Sequence, residues 1–210
     1  MNDEWETNGE SIHCRFLEIA ADISRPLEQA LIAVGPRRFP DRSDVPPAVF
    51  LARAVVGQQL STAAARSIWQ RIEAMAAAEG CAIPDAFDEA RREQLRACGL
   101  SAGKARTLAG IREAHRAGRL ERDALRSLDH AGITAELTTL WGVGQWTSDM
   151  AALFYCRCPD VWPEQDVTVR KTFSRLIGTR RKPSKWAARF APYRSWLALY
   201  MWAVVDARPD

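Results

Sequence analysis

Two glycines one residue apart are the first sign of chemistry in this chain. In Leu140-Trp141-Gly142-Val143-Gly144-Gln145-Trp146-Thr147 a short helix ends, the chain turns tightly, and an apolar helix begins at once. Glycine allows close backbone approach and positive φ, and the N–H groups at a new helix start point outward together. Such a turn is an anion site built from backbone, suited to a phosphate held by Gly142, Gly144 and Thr147. The same letters also fit an ordinary helix–helix connection with glycine at its turn.

Charge and aromatic content bear on that choice. The chain's net charge is only +3, but Arg157 to Arg194 holds ten lysines and arginines against Asp160, Glu164 and Asp166. That stretch carries +7, so the rest of the chain carries −4. Segregation of this kind is a footprint for a polyanion, although a solvated basic face would look the same. Twelve of the eighteen aromatic residues also follow Leu140. Cations interleaved with rings suit nucleic acid, the cations holding the backbone while the rings take an exposed base. In that setting the glycine turn reads as the hairpin of a helix-hairpin-helix, which grips DNA backbone without reading sequence.

Other chemistries are poorly supported. The five cysteines (Cys14, Cys81, Cys98, Cys156, Cys158) are odd in number and irregularly spaced. Cys156-Arg157-Cys158 has no second Cys/His pair to complete a zinc site, and nothing resembles an iron–sulfur run. They read as reduced thiols, and His13, His115 and His130 as surface or core residues. Asp149 and Glu164, carboxylates near the hairpin and the basic stretch, read as surface groups or as supports behind a site. No apolar run reaches the roughly 18–20 residues a membrane span needs. The polar, acidic start from Met1 to Glu10 is no signal peptide and reads as a frayed tail.

Elements able to position these residues are all helical. At 210 residues and 47% hydrophobic content the chain can bury a sizeable core. Three- and four-residue spacing predicts helices over Phe16–Val34, Ala48–Val56, Thr62–Ala78, Ala102–Ala117, Thr134–Leu140 and Gln145–Tyr155. One or two short helices fit Pro84–Ala97, and later helices fit Thr168–Ile177, Ser184–Phe190 and Arg194–Val205. Gly and Pro fall at the seams, and strand-like alternation is absent.

Five landmarks in order give the chain a recognisable look. They are Gly57-Gln58-Gln59-Leu60-Ser61, Gly99-Leu100-Ser101-Ala102-Gly103-Lys104, the hairpin running into Trp146-Thr147-Ser148-Asp149-Met150, Pro163-Glu164-Gln165-Asp166, and Pro192-Tyr193-Arg194-Ser195-Trp196 through Met201-Trp202. From about Arg25 to Val205 the chain resembles the helix-hairpin-helix DNA glycosylases, in particular the bacterial 3-methyladenine DNA glycosylase II type. The resemblance implies an all-α, two-lobed fold with a DNA cleft between lobes, and excision of alkylated bases from a flipped nucleotide. It assigns catalysis to Asp166, the carboxylate that stabilises oxocarbenium-like charge on the sugar and guides water. It places Trp146, Met150 and Trp202 at the base pocket, where ring faces attract a cationic base by about 0.5–2 kcal/mol each. Trp69, Trp186 and Trp196 stay with the core. Gln58, Gln59 and Leu60 would wedge into the gap left by the flipped nucleotide. Lys104 would contact a phosphate.

Two departures qualify the likeness. Relatives of this type often begin with a β-rich domain for which there is no room before Arg25. Trp146 stands where bifunctional relatives carry a Schiff-base lysine, so water is expected to displace the base. The expected division is a tail over 1–10, an N-terminal helix and connector over 11–47 that pack with the C-terminal lobe, a hairpin-bearing lobe over 48–160, and a C-terminal lobe over 161–210 that carries Asp166. No cofactor, metal site or iron–sulfur cluster is expected, with a monovalent cation at the hairpin left open. The expected setting is a cytoplasmic, nucleoid-associated monomer acting on damaged double-stranded DNA, with no membrane partner. A non-catalytic helix-hairpin-helix DNA-binding module is the alternative. A helical adaptor for acidic proteins would account for the basic stretch alone.

Overall fold

The structure is a computed structural model that describes residues 9–40 and 44–207. Among these residues there is no β-strand, and the class is all-α. In chain order the helices are α1 (Gly9–Ile23), α2 (Arg25–Val34), α3 (Pro47–Gly57), α4 (Thr62–Ala78), α5 (Arg92–Ala97) and α6 (Ala102–Arg116). They continue as α7 (Arg122–Arg126), α8 (His130–Leu137), α9 (Gln145–Met150), α10 (Val167–Ile177), α11 (Pro183–Ala187) and α12 (Arg194–Asp206). The chain forms two compact units, a terminal unit drawn from Met1–Asp41 and Arg157–Asp210 and a middle unit drawn from Arg42–Cys156. No helix among the described residues is long and apolar enough to cross a membrane.

In the terminal unit the first two and last three helices share a core of Phe16, Leu27, Leu31, Phe173, Phe190 and Tyr200, all fully buried. Phe16 meets Phe190 edge-on, ring centroids 4.9 Å apart. Each such side chain contributes on the order of 1.5–3 kcal/mol relative to exposure. Burial pushes the Tyr200 phenol up to about 12 and pulls the His13 imidazole, hydrogen-bonded to its oxygen at 2.7 Å, downward.

The single helix expected over Phe16–Val34 is two. Ser24 takes an extended conformation, its Oγ accepts from Leu27 N–H and donates to Leu176 C=O, and a proline occupies the first turn of α2. A serine cap followed by proline is a helix start, and it outweighs the apolar period running through it. The expected tail lies outside the described residues up to Asn8, but Gly9 and Glu10 belong to α1. Gly9 is buried so closely against the Arg37 carbonyl that a β-carbon would stand 3.1 Å from it.

In the middle unit α3 is central, with Leu51, Ala52, Val55 and Val56 all buried. It packs against α4, α6 and α9. Ser61 and Ser101 cap α4 and α6 through Oγ. The Pro84–Ala97 stretch resolves into two tight 3₁₀ turns followed by α5. The sequence reading missed α7 altogether and started α8 four residues late, at Thr134, because Asp129 caps it through Gly132 N–H. The helix expected over Gln145–Tyr155 is α9 followed by a wider π turn over Ala151–Tyr155, closed by Cys156 N–H to Ala151 C=O at 2.9 Å.

Candidate functional site

The glycine hairpin divides its work between two residues. Val143 N–H closes the turn on Leu140 C=O at 3.0 Å, and the Val143 side chain is buried as an anchor. Gly142 has φ +79°, and a β-carbon there would collide with Thr107 Oγ1. Gly144, which opens α9, is extended at φ −101°, with no heavy atom within 4 Å of where a β-carbon would stand. The positive φ therefore falls on Gly142, whereas Gly144 exposes bare backbone at a helix start, the arrangement that favours an anion.

Side chains assigned to this face are turned inward. Thr147 is 1% exposed, and its Oγ1 accepts from Gln58 Nε2 at 2.9 Å. Its side chain braces the hairpin, so any part it takes in holding a phosphate comes through its backbone. The Gln58 amide also reaches Gly142 C=O at 3.4 Å, so of the three residues expected at the wedge its side chain is bonded to the hairpin. Lys104, expected at a phosphate, is also bonded within the protein. Its Nζ donates to Val56 C=O at 2.8 Å and Gln58 C=O at 2.7 Å, and burial lowers its pKa. The ammonium thus satisfies the carbonyl end of α3, where a cation is favoured. Gln59 and Leu60 remain exposed at the tip, with Gln59 at φ +57°. A left-handed non-glycine residue costs about 1–2 kcal/mol.

Behind the hairpin, Asp149 is buried rather than superficial. It accepts from His130 Nε2 at 2.8 Å and Gln145 Nε2 at 2.7 Å, tying α9 to α8. A buried carboxylate requires such partners. Trp141 went unassigned in the sequence, although its place beside Gly142 was a signal. It is 53% exposed with the Arg106 guanidinium 4.4 Å from its ring centre. On α9, Trp146 is half-buried and Met150 is buried, four residues apart.

The remaining assigned residues lie in the terminal unit. Asp166 is 8% exposed and caps α10, its Oδ1 accepting from Val169 N–H at 2.8 Å. Asp166 N–H closes a turn on Pro163 C=O at 2.9 Å, so the carboxylate is set from both sides. Just upstream, the buried Trp162 ring packs edge-on against Phe173, and its Nε1 donates to Glu164 Oε2 at 2.8 Å. Glu164 itself is exposed. Trp202 on α12 is half-buried against the terminal unit's core.

Sequence reasoning missed what holds this segment. Arg194 forms a two-pronged bond to Asp160, Nε to Oδ1 at 2.7 Å and Nη2 to Oδ2 at 2.8 Å. Ser195 Oγ donates to Cys158 C=O at 2.6 Å and accepts from Val161 N–H at 3.0 Å. Residues 158–161 are thereby fastened to the start of the helix that carries Trp202. Part of the basic stretch is also spent internally. Arg181 donates to Ile23 C=O at 2.7 Å, and Arg189 pairs with Asp22. Among the described residues no group of three or more His, Cys, Asp or Glu is placed to hold a metal ion.

Comparison with known proteins places these features in context. Residues 52–193 match the model of the HhH-GPD superfamily base excision DNA repair proteins. The chain is 31% identical over 158 residues to DNA-3-methyladenine glycosylase 1 of Schizosaccharomyces pombe, covering 72% of this chain and 69% of that protein. It is 26% identical over 166 residues to DNA-3-methyladenine glycosylase 2 of Escherichia coli, covering 75% of this chain and 57% of that protein. Among solved structures, the S. pombe 3-methyladenine DNA glycosylase in complex with abasic DNA aligns with a TM-score of 0.76 and 28% identity, over 90% of this chain and 95% of that one. A DNA-3-methyladenine glycosidase from Bacillus halodurans aligns at 0.73 and 27% identity, over 93% and 89%.

Proposed function

The chain belongs to the HhH-GPD superfamily of base excision DNA repair proteins, and from that premise we propose that it is a monofunctional DNA glycosylase for alkylated bases of the 3-methyladenine and 7-methylguanine type. The observation that carries the reading is Asp166, a carboxylate held by Val169 N–H at the start of α10. The hairpin backbone at Gly142–Thr147 grips phosphate, and the Gln59–Leu60 tip enters the duplex as the damaged nucleotide is flipped out. In the middle unit Trp146 and Met150, four apart on α9, supply a wall for the base, and in the terminal unit Trp202 on α12 offers a ring face; such faces favour a base carrying positive charge.

As the N-glycosidic bond breaks, the base leaves with the bonding pair and positive charge develops on the sugar. Asp166 stabilises that charge and orients the water that adds to it. α9 carries Trp146 and no lysine, so no amine on this helix can form an imine with the sugar. The product is an intact strand with an abasic site. The carboxylate and water supply all the groups this hydrolysis needs, without a cofactor or an iron–sulfur cluster. A monovalent cation at the hairpin would show as a higher DNA affinity in potassium than in tetramethylammonium salt. The working form is a monomer on double-stranded DNA in the cytoplasm, at the nucleoid.

Incubation of the full chain with methylated duplex is expected to release free 3-methyladenine and leave strands that break only after alkali. A protein–DNA adduct trapped by borohydride would refute the monofunctional chemistry. DNA binding without released base would instead identify a non-catalytic helix-hairpin-helix module.

A further inference from the structure

The turn between α3 and α4 is held from outside, and we propose that Lys104 and Gln58 are positioning residues that keep its Gln59–Leu60 tip presented for insertion into the duplex. The inference rests on the glycosylase reading for the use of that tip and on the turn's own geometry for the rest.

Gly57 to Leu60 is a type II turn, closed by Leu60 N–H to Gly57 C=O at 3.2 Å, with Gln58 at φ −52°, ψ 128° and Gln59 at φ +57°. The position Gln59 occupies normally takes glycine or asparagine, because a side chain there is strained. Left alone, a Gln-Gln pair relaxes to a type I turn by rotating its middle peptide, which moves the Gln58 carbonyl to the other side of the turn. That carbonyl is the one Lys104 Nζ holds, at 2.7 Å, together with Val56 C=O at 2.8 Å. The ammonium therefore fixes the peptide whose rotation would release the strain. Strain of this kind persists where the surroundings over-determine it, often at functional sites.

The second tie runs to the hairpin. Gln58 Nε2 donates to Thr147 Oγ1 at 2.9 Å and to Gly142 C=O at 3.4 Å. The turn that carries the exposed tip is thus fastened directly to the turn that carries the phosphate-binding backbone. A backbone phosphate gripped at the hairpin fixes where Gln59 and Leu60 meet the base stack. Lys104 and Gln58 touch neither the base nor the sugar in this scheme.

The test uses a duplex bearing a stable abasic analogue with 2-aminopurine opposite it, whose fluorescence rises when a side chain displaces it from the stack. Wild-type protein is expected to raise the signal. Lys104→Met should lower affinity for this duplex about tenfold and remove most of the rise, while binding undamaged duplex with unchanged affinity and salt slope. Gln59→Asn in the Lys104→Met background should restore much of the signal, because asparagine tolerates a left-handed backbone. A lysine that merely supported folding would not respond to a change at residue 59. Gln58→Met, which removes the amide and keeps the stem, should lower the fluorescence rise in the same direction but less, relative to its own binding of undamaged duplex, and it serves if Lys104→Met does not fold.

Undiminished fluorescence and affinity in folded Lys104→Met or Gln58→Met would overturn the proposal, as would no rescue by Gln59→Asn. Equal losses on damaged and undamaged duplex would make Lys104 a phosphate contact instead. No fluorescence rise from wild type would overturn insertion by this tip. Base release is not among these readouts. A chain that inserts its tip yet releases no base would sink the glycosylase reading and leave this one standing.

Discussion

At the hairpin turn the glycines offer backbone to solvent: Gly142 and Gly144 are exposed beside the exposed Trp141 ring, while Thr147 and Asp149 are buried and Gln58 and Lys104 bond to protein partners. At Asp166 the group of interest is one largely buried side chain, and backbone holds it: Val169 N–H donates to its carboxylate and its own N–H closes the turn on Pro163. The contrast suits the two tasks proposed for these regions. A phosphate grip must accept any sequence, and N–H groups fixed by a turn do that at no cost in side-chain ordering. Stabilising charge on one sugar carbon needs a full negative charge at one point, which only an acidic side chain supplies. The first site should fail when its backbone shape changes, the second when one functional group changes.

The largest effect is expected at Asp166. Asparagine keeps an oxygen for Val169 N–H, so Asp166→Asn should fold and bind DNA with affinity within about twofold of wild type. Its single-turnover rate of base release should fall on the order of 10²–10³, the scale of one electrostatic stabiliser. Near-normal release would remove Asp166 from the chemistry. In the hairpin, Gly142→Ala meets both a left-handed φ and the Thr107 hydroxyl, whereas Gly144→Ala meets neither. We expect Gly142→Ala to lower affinity for undamaged duplex at least about tenfold and Gly144→Ala only about two- to threefold. Isothermal titration at a fixed salt concentration ranks them. The reverse order would show that close approach at residue 144, not the shape set at 142, limits binding.

The same contrast explains what could be read from the letters. Helices with strong caps, such as Thr62–Ala78 behind Ser61, were legible to the residue, because cap chemistry and apolar period agree there. The Ser24 break was not, since the period runs through it and the cap's value depends on Leu176, distant in sequence. At the hairpin, glycine spacing pointed to the turn itself, yet the internal bonds of Lys104, Gln58 and Thr147 were not legible. Whether a lysine faces solvent or two carbonyls 46 and 48 residues away depends on tertiary packing and leaves no local trace. Asp166 was singled out through its landmarks, and its capping bond to Val169 N–H is legible from its place before a helix. The Asp160–Arg194 bond spans 34 positions and has no spacing signature at all.

A smaller effect is expected in the pocket wall. Trp202 is half-buried at its own core, so replacing it changes both packing and any face it offers a base. Trp202→Phe keeps a ring and separates the two. If ring faces favour a cationic base by about 0.5–2 kcal/mol, Trp202→Ala should slow release of 7-methylguanine roughly fivefold, and Trp202→Phe less than twofold. Thermal melts of both variants give the packing contribution. Full activity in stably folded Trp202→Ala would leave Trp202 as core alone.

The smallest effect, and the one that best divides the two regions, is at Arg194. It lies in the basic stretch, where charge counting assigns it to a polyanion, but its guanidinium is committed to Asp160, each side chain about a third exposed (31% and 30%). A pair that exposed contributes no more than about 1 kcal/mol after solvent screening. Arg194→Gln should therefore loosen residues 158–161 slightly and, through them, the approach to Asp166. We expect kcat to fall about threefold, with KM and affinity for undamaged duplex unchanged. Asp160→Asn should do the same, and the double variant should be no worse than either single one, because both remove one bond. If Arg194→Gln instead weakens duplex binding and lowers the slope of log affinity against log salt by about 0.9, it has lost a phosphate contact. Arg194 would then belong with the DNA grip rather than with the scaffold of the carboxylate.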